Sequence, residues 1–247
     1  MFQKNLWTIG LTALLYGCSS STELDQLTVG LQSGYPPYES VNEQGVVVGF
    51  DIDVAQNIAD SMNKKLVVKE MGFDCLILAL KNHKIDLILS GMSITPERMK
   101  AIDMVPYYGD KVTDLQLLFW NKEGNPIQTL QGETVAVQSG TFQEQILHKY
   151  SQIKPKLLEN TQELVMEIKY GKSVAALVEP AVGNELKHKY PEIHSIPVPL
   201  APEDQVLGNG IGIAKDNVAL KTAVEKGVEQ MKETGQMNAV AKKWFYD

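Results

Sequence analysis

The sequence predicts an α/β fold of two lobes, each a mostly parallel sheet flanked by helices. Short apolar strands alternate with amphipathic helices along the 247-residue chain, a pattern typical of α/β layers. The alternation forms two blocks, 27–110 and 130–200. One apolar strand, Leu115–Trp120, lies between the blocks, and another, Val206–Ala214, follows them. Two strands that cross between two lobes would form a hinge over a cleft.

Residues 1–17 are predicted to be a secretory signal peptide, because Lys4 precedes an apolar stretch, Leu6–Leu15. Tyr16, Gly17 and Cys18 follow, and the small residue before a cysteine resembles a bacterial lipoprotein lipobox, which implies cleavage before Cys18 and lipidation of that cysteine. An ordinary signal peptide with Cys18 as a bystander is the alternative. Residues 18–26 are polar and are predicted to be a tether that carries the lipid, which would hold the protein at a membrane surface.

In the first block, the apolar segments Leu27–Leu31, Leu66–Lys69 and Ile85–Leu89 are predicted strands. Asp51 is predicted to cap the first helix, since aspartate is a favoured N-cap residue. Pro96 is predicted to begin a later helix, because proline suits the first helical position.

Cys75 lies in the apolar run Phe73–Leu80, which is predicted to be helical from Asp74. We expect Cys75 to be a small buried hydrophobic residue. A catalytic thiol is the alternative, but no histidine lies near it in the sequence to serve as its base.

In the second block, Thr141 is predicted to open one helix and Thr161 to cap another. Ser173–Val178 is a predicted strand, and Glu179 follows at its carboxyl end, just before Pro180 starts the next helix. Ligands of parallel α/β sheets bind where such strand ends and their loops gather. Glu179 is therefore a candidate site residue. Thr141 is a second, because it opens a helix and helix amino ends favour anions.

Composition and charge exclude several classes of function. The net charge of −7 argues against nucleic-acid binding, which needs a basic face. Two cysteines and four histidines exclude a disulfide scaffold and a cysteine-rich zinc site, and the histidines show no ligand spacing. No apolar run reaches the ~18 residues of a membrane span. We expect neither a metal nor a cofactor.

Three segments stand out together. The first holds Tyr35-Pro-Pro-Tyr-Glu39 and Gly49-Phe-Asp-Ile-Asp53; the second runs from Ser90-Gly-Met-Ser to Arg98 and on to Tyr108; the third is Val137–Gln143. Their order and spacing resemble the polar-amino-acid-binding proteins of bacterial ABC importers, and most of all the arginine-binding and lysine/arginine/ornithine-binding branch of solute-binding family 3. The resemblance covers residues 27–247.

The resemblance implies a type II periplasmic binding protein that closes around one amino acid. Lobe 1 is then expected at 27–114 and 212–247, lobe 2 at 115–211, and the hinge strands near 112–120 and 206–214. The family implies an extracytoplasmic receptor that delivers its ligand to an ABC permease. Its place would be the periplasm or the cell envelope, with a lipid anchor.

The resemblance also implies roles for the polar residues of these segments. Arg98 would grip the ligand carboxylate with two parallel hydrogen bonds, a geometry that lysine cannot copy. The turn residues Ser90, Gly91 and Ser93 and, from the second lobe, Thr141 would support the same ligand end. Glu179 stands where the family commonly has an aspartate for the ligand ammonium.

The pocket for the ligand side chain is expected to combine rings and amides. Tyr35 and Phe73 match family positions whose rings line that pocket, and two rings suit a flat guanidinium. Gln32 stands where basic-amino-acid binders often carry an aspartate, and Gln143 is a second neutral acceptor. This composition favours arginine over lysine. Glu39 could supply a negative charge, but the sequence does not show where its carboxyl group lies.

Two other classes of function remain alternatives. The same fold hosts dehydratase-like enzymes, for which Glu179 is the one evident candidate acid or base in this sequence. A sensory or surface-exposed amino-acid-binding module is the second.

Overall fold

Two β-sheets, each flanked by helices, organise residues 25–245, the part of the chain that this computed structural model describes. The predicted signal peptide, the lipidation site Cys18 and the tether up to residue 24 lie outside the described residues. Between residues 25 and 245, no helix has both the length and the apolar character that crossing a bilayer requires.

The first half contains β1 (Gln26–Leu31), β2 (Ser40–Val41), β3 (Val47–Val48), α1 (Phe50–Ser61), β4 (Lys65–Glu70), α2 (Leu76–Lys81), β5 (Leu87–Ile88), β6 (Ser93–Ile94), α3 (Pro96–Ala101) and β7 (Asp103–Tyr108). The second half contains β8 (Asp114–Trp120), β9 (Thr134–Gln138), α4 (Phe142–Leu147), β10 (Lys154–Leu158), α5 (Thr161–Lys169), β11 (Ala175–Val178), α6 (Pro180–Lys189), β12 (Ile193–Pro199), β13 (Leu207–Ile213), α7 (Val218–Glu233) and α8 (Gln236–Trp244).

Both sheets are mixed, with a parallel part that carries the crossover helices. The first has the order β4-β1-β5-β13-β6, and β7 also pairs with β13. In it, β1 is parallel to β4 and β5, whereas β13 is antiparallel to its neighbours. The second has the order β10-β9-β11-β8-β12, with β9 parallel to β10 and β11 and β8 antiparallel to β11 and β12. The predicted two-lobed α/β fold is confirmed.

The chain crosses between the sheets at two adjacent connections. The Val112 N–H donates to the Val206 carbonyl oxygen at 2.8 Å, and the two residues form an isolated antiparallel bridge. The two predicted crossing strands lie inside the sheets instead: β8 belongs to the second and β13 to the first. Residues 207–211 therefore belong to the first sheet and not, as predicted, to lobe 2. Both strands are buried and apolar, and such patterning does not reveal which sheet a strand joins.

Helix α1 begins two residues earlier than predicted, at Phe50, because Gly49 and not Asp51 occupies the N-cap. A Cβ atom at Gly49 would lie 2.1 Å from the Tyr38 carbonyl oxygen, and the φ of 151° also favours glycine. The prediction of Asp51 as the cap is thus wrong. Asp51 is fully buried, and its carboxylate accepts hydrogen bonds from Tyr107 and Gly91.

Cys75 is exposed, so the prediction that it is buried is wrong. It ends a short 3-10 turn, Phe73–Cys75, and α2 begins at the next residue. Leu76 and Leu80 form the buried face of α2. Cys75 directly precedes that face, and neighbouring residues on a helical turn point in different directions.

The cap of α5 is Asn160, whose side chain accepts the Glu163 N–H at 3.0 Å. Thr161, the predicted cap, is the first helical residue. Its hydroxyl instead donates to the Gly34 carbonyl oxygen at 2.7 Å. Thr161 lies on a helix that packs on the second sheet, whereas Gly34 lies in a loop of the first lobe. A residue expected to have a local role therefore joins the two lobes.

Candidate functional site

A small cavity between the two sheets collects most of the predicted site residues. Its volume is about 10 Å³, close to the minimum for one water molecule. Its lining includes eight predicted residues, namely Tyr35, Phe73, Gly91, Ser93, Arg98, Thr141, Gln143 and Glu179. Most follow the carboxyl ends of the parallel strands β1, β5, β9 and β11, where ligands of such sheets bind.

Arg98 is held by α3. The Thr95 hydroxyl caps this helix by accepting the Arg98 backbone N–H at 3.2 Å. The guanidinium donates from Nη1 to the Ser93 carbonyl oxygen at 2.8 Å and from Nη2 to the Gly140 carbonyl oxygen at 3.1 Å. It also lies over the Phe73 ring, 5.3 Å from the centroid. Arg98 therefore belongs to the first lobe and already contacts the second.

Glu179 enters the cavity from the other lobe. Strand β11 ends at Val178 and α6 starts at Pro180, so Glu179 occupies the helix N-cap position at the carboxyl end of the strand. Its carboxylate makes no capping bond and accepts a hydrogen bond from the Tyr35 hydroxyl. With 5% of its surface exposed, Glu179 is a buried acid that faces the first lobe.

Arg98 and Glu179, the two charged groups of the cavity, each affect the pKa of the other. Burial lowers the pKa of Arg98 to about 10, and the negative charge of Glu179 works against that fall. Burial raises the pKa of Glu179 to about 7, while the Tyr35 hydrogen bond and Arg98 oppose the rise. The cavity thus holds a guanidinium and, near neutral pH, a carboxyl group poised to ionise.

Tyr35 connects the two lobes through its hydroxyl, which also accepts from Gln143 Nε2 at 2.9 Å. Its ring stacks on Tyr38 with centroids 5.9 Å apart. Both rings crowd Gly91: a Cβ atom there would lie 3.0 Å from Tyr38 and 3.1 Å from Tyr35. Gly91 also has a φ of +52°, so only glycine brings the backbone this close without strain.

Two predicted ligand contacts lie outside the cavity lining. The Ser90 hydroxyl accepts the Gln32 backbone N–H at 3.1 Å and donates to Glu39 at 2.7 Å, so its hydrogen bonds are made within the lobe. Gln32 donates from Nε2 to Ser33 and accepts, at Oε1, from Gln138 Nε2. Sequence patterning located both turns but did not show which side chains face the cavity.

Gln138 and Phe142 complete the lining, and sequence reasoning missed both. Gln138 is the last residue of β9, at the carboxyl end of a parallel strand, and this position was the signal available. Its Oε1 atom is buried and makes no hydrogen bond to any residue between 25 and 245. A buried acceptor of this kind is costly unless a donor reaches it.

The arrangement suits binding of a zwitterion. A guanidinium and a carboxyl group stand at the cavity with amide oxygens and aromatic rings around them. Within the described range, no group of three or more His, Cys, Asp or Glu side chains is placed to hold a metal ion.

Comparisons with known proteins agree with this geometry. Residues 27–247 match the bacterial extracellular solute-binding proteins, family 3. The chain is 39% identical over 250 residues to the probable ABC transporter arginine-binding protein ArtJ of Chlamydia trachomatis serovar D, covering 98% of this chain and 97% of the relative. It is 30% identical over 249 residues to the arginine-binding extracellular protein ArtP of Bacillus subtilis, covering 95% and 94%. A solved ancestral arginine-binding protein bound to arginine has 30% identity and a TM-score of 0.82, covering 91% of this chain and 100% of that structure.

Proposed function

The chain belongs to family 3 of the bacterial extracellular solute-binding proteins, and on this premise we propose that it binds L-arginine and delivers it to an ABC permease. One observation carries the proposal: Arg98 and Glu179, from opposite lobes, line the same cavity as Ser93, Thr141 and three aromatic rings. A free amino acid needs both an anion partner and a cation partner once it leaves water.

We assign the ligand carboxylate to Arg98 and the ligand ammonium to Glu179. The planar guanidinium of arginine can bind a carboxylate with two parallel bonds. Thr141 supports the same end, since it caps α4 and accepts the Glu144 N–H at 3.3 Å, so the positive end of that helix faces the cavity. Glu179 is the carboxyl group that lines the cavity from the second lobe.

For the ligand side chain, neutral acceptors favour arginine over lysine. The unpaired Oε1 of Gln138 offers a buried acceptor, and Gln143 adds a second amide. A guanidinium spreads its charge, donates to several acceptors and stacks on rings such as Tyr35 and Phe73. A lysine ammonium is compact and strongly hydrated, so leaving water without a dedicated counter-charge costs it more.

Arginine is expected to raise the melting temperature in proportion to the logarithm of its concentration, and lysine to raise it less. A ligand that binds only the folded state stabilises it by about 4 kcal/mol at a thousand times its Kd. Thermal unfolding of protein freed of bound ligand measures this. Agmatine, which is arginine without its carboxylate, is the control and should have little effect if Arg98 acts as proposed. A melting temperature that stays constant up to millimolar arginine would contradict the proposal.

Like its family and its relatives, the chain is a solute-binding protein and not an enzyme. Glu179 is engaged by Tyr35 and lies opposite Arg98, which suits it to hold an ammonium group. For the closing motion, we propose that the Val112–Val206 bridge marks the hinge, with residues 207–245 returning to lobe 1.

We further propose that the protein is held at the cell envelope by lipid on Cys18. The Cys18→Ser variant is expected to leave the membrane fraction, because the thiol is the attachment atom and stable anchoring needs the acyl chains. Membrane fractionation followed by immunoblotting measures this. Cys75→Ser, which alters an exposed cysteine of the folded part, is the matched control and should stay membrane-bound. A Cys18→Ser protein that fractionates like the wild type would count against lipidation.

A further inference from the structure

Glu39 and Asp51 form a buried carboxyl pair next to the turn that carries Ser90 and Gly91. Both acids have no exposed surface. Neither lines the cavity between the lobes, although Gly91 does. The acid that the sequence left without a position therefore lies in a layer behind the site, where its charge state affects the turn and not the ligand directly.

The hydrogen-bond donors around the pair are already committed. The Ser90 hydroxyl donates to Glu39 Oε1 at 2.7 Å. The Tyr107 hydroxyl donates to Asp51 Oδ1 at 2.6 Å, and the Gly91 N–H donates to Asp51 Oδ2 at 2.7 Å. Glu39 Oε2 is buried and receives no hydrogen bond from a donor group between residues 25 and 245. An ionised oxygen in that position would bear the full cost of desolvation.

A proton on Glu39 would remove the charge from this buried oxygen and let it donate a hydrogen bond. The two carboxyl groups are close enough to hydrogen-bond to each other, and such a bond requires that one of them carry a proton. Asp51 already accepts two donors, so it is the better anion, and Glu39 Oε2 is the atom in need of a proton.

The surroundings also favour a retained proton. The charged groups that act most strongly on Glu39 are two other acids, Asp51 and Glu179. Among residues 25–245, the other titratable groups that interact with the pair are phenols, Tyr107 from β7 and Tyr38 from the loop after β1. Burial raises the pKa of Glu39 well above its ordinary 4.5, and the negative charge of Asp51 is the second largest cause. Burial also raises the pKa of Asp51 to about 7.

We propose that Glu39 keeps its proton at neutral pH and donates it to Asp51, and that this shared hydrogen bond positions the Ser90–Gly91 turn for ligand binding. Glu39 holds Ser90, and Asp51 holds the N–H of Gly91. Both acids are positioning residues. The binding part of the inference rests on the proposed function, whereas the shared proton does not.

The sign of the pH effect follows from the raised pKa. Unfolded Glu39 ionises near 4.5, while folded Glu39 stays protonated to higher pH. The folded state thus binds the extra proton, and stability falls as pH rises from about 4.5 towards the folded pKa. The Glu39→Gln variant would keep a donor towards Asp51 and an acceptor for Ser90 without any proton to lose.

The first test measures denaturant unfolding without ligand from pH 5 to 9, for wild type, Glu39→Gln and the exposed control Glu43→Gln. The ratio of the wild-type to the Glu39→Gln unfolding constant is expected to grow with pH, by up to about tenfold per pH unit. Glu43→Gln should follow the wild type. A ratio for Glu39→Gln that stays constant across this range would overturn the shared proton.

The second test measures arginine affinity by calorimetry at pH 7. Glu39→Ala is expected to lower the affinity at least tenfold, and Glu39→Gln to restore most of it. Asp51→Asn should lower it as well, because an amide nitrogen would face a donor. If Glu39→Ala does not fold, the affinities of Glu39→Gln and Asp51→Asn test the positioning role instead. Equal affinities in all variants would overturn the positioning role. A wild-type protein that fails to bind arginine would contradict the proposed ligand. The unfolding measurements would still test whether Glu39 keeps its proton, because they use no ligand.

Discussion

Arg98→Lys is expected to lower arginine affinity by ~30-fold to several thousand-fold while the protein stays folded. Losing a buried, charge-assisted hydrogen bond to a ligand costs about 2–5 kcal/mol. A lysine ammonium lacks the planar fork for a carboxylate, and it also forfeits the pair of carbonyl contacts that the guanidinium makes with Ser93 and Gly140. Isothermal titration calorimetry with arginine measures the change.

The reverse exchange two residues along the same helix, Lys100→Arg, is the matched control, because Lys100 is exposed. It should bind arginine as the wild type does. If Arg98→Lys keeps an affinity within threefold of wild type and an unchanged melting temperature, the ligand carboxylate lies elsewhere.

Glu179→Gln is expected to weaken arginine binding at least tenfold and to remove its dependence on pH below neutrality. In the wild type, burial raises the pKa of Glu179 to about 7. A ligand ammonium favours the ionised form, so binding below that pH must release a proton. Affinity should then fall by up to tenfold for each pH unit below about 7. Titrations from pH 5 to 8 compare the two proteins.

Glutamine keeps the acceptor that the Tyr35 hydroxyl needs, so the variant should fold. Glu192→Gln alters an exposed acid of the same lobe and is the control for the loss of one charge. A Glu179→Gln variant whose affinity still falls in acid, in parallel with the wild type, would show that another group binds the ammonium.

Much of this architecture could be predicted, because local patterning specifies strands, helices and the turns at strand ends. Glu179 was placed at the carboxyl end of a strand in this way, whereas Arg98 and Thr141 were expected in the site from the resemblance of their motifs. All three line the cavity. Thr95 and Pro96 likewise begin α3 as cap and first-turn signals predict.

Local patterning did not show which way a side chain faces across a distance in space. Ser90 and Gln32 lie on the expected turns, but their partners, Glu39 and Gln138, come from distant parts of the chain. Thr161 was expected to cap its own helix and instead reaches the other lobe. Periodicity reports one face of one element, and it carries no information on long-range pairing.

Arg98 is the one arginine of the 247-residue sequence. Its side chain is 6% exposed and donates to the Gly140 carbonyl oxygen of the other lobe. A dicarbonyl reagent selective for guanidinium groups therefore has a single target on this chain. Under the proposed hinge motion, the rate of this reaction measures the fraction of time that the cleft is open, because the closed form shields the side chain. Arg98 thus reports on the equilibrium between open and closed cleft. Mass spectrometry can follow its modification without any introduced label.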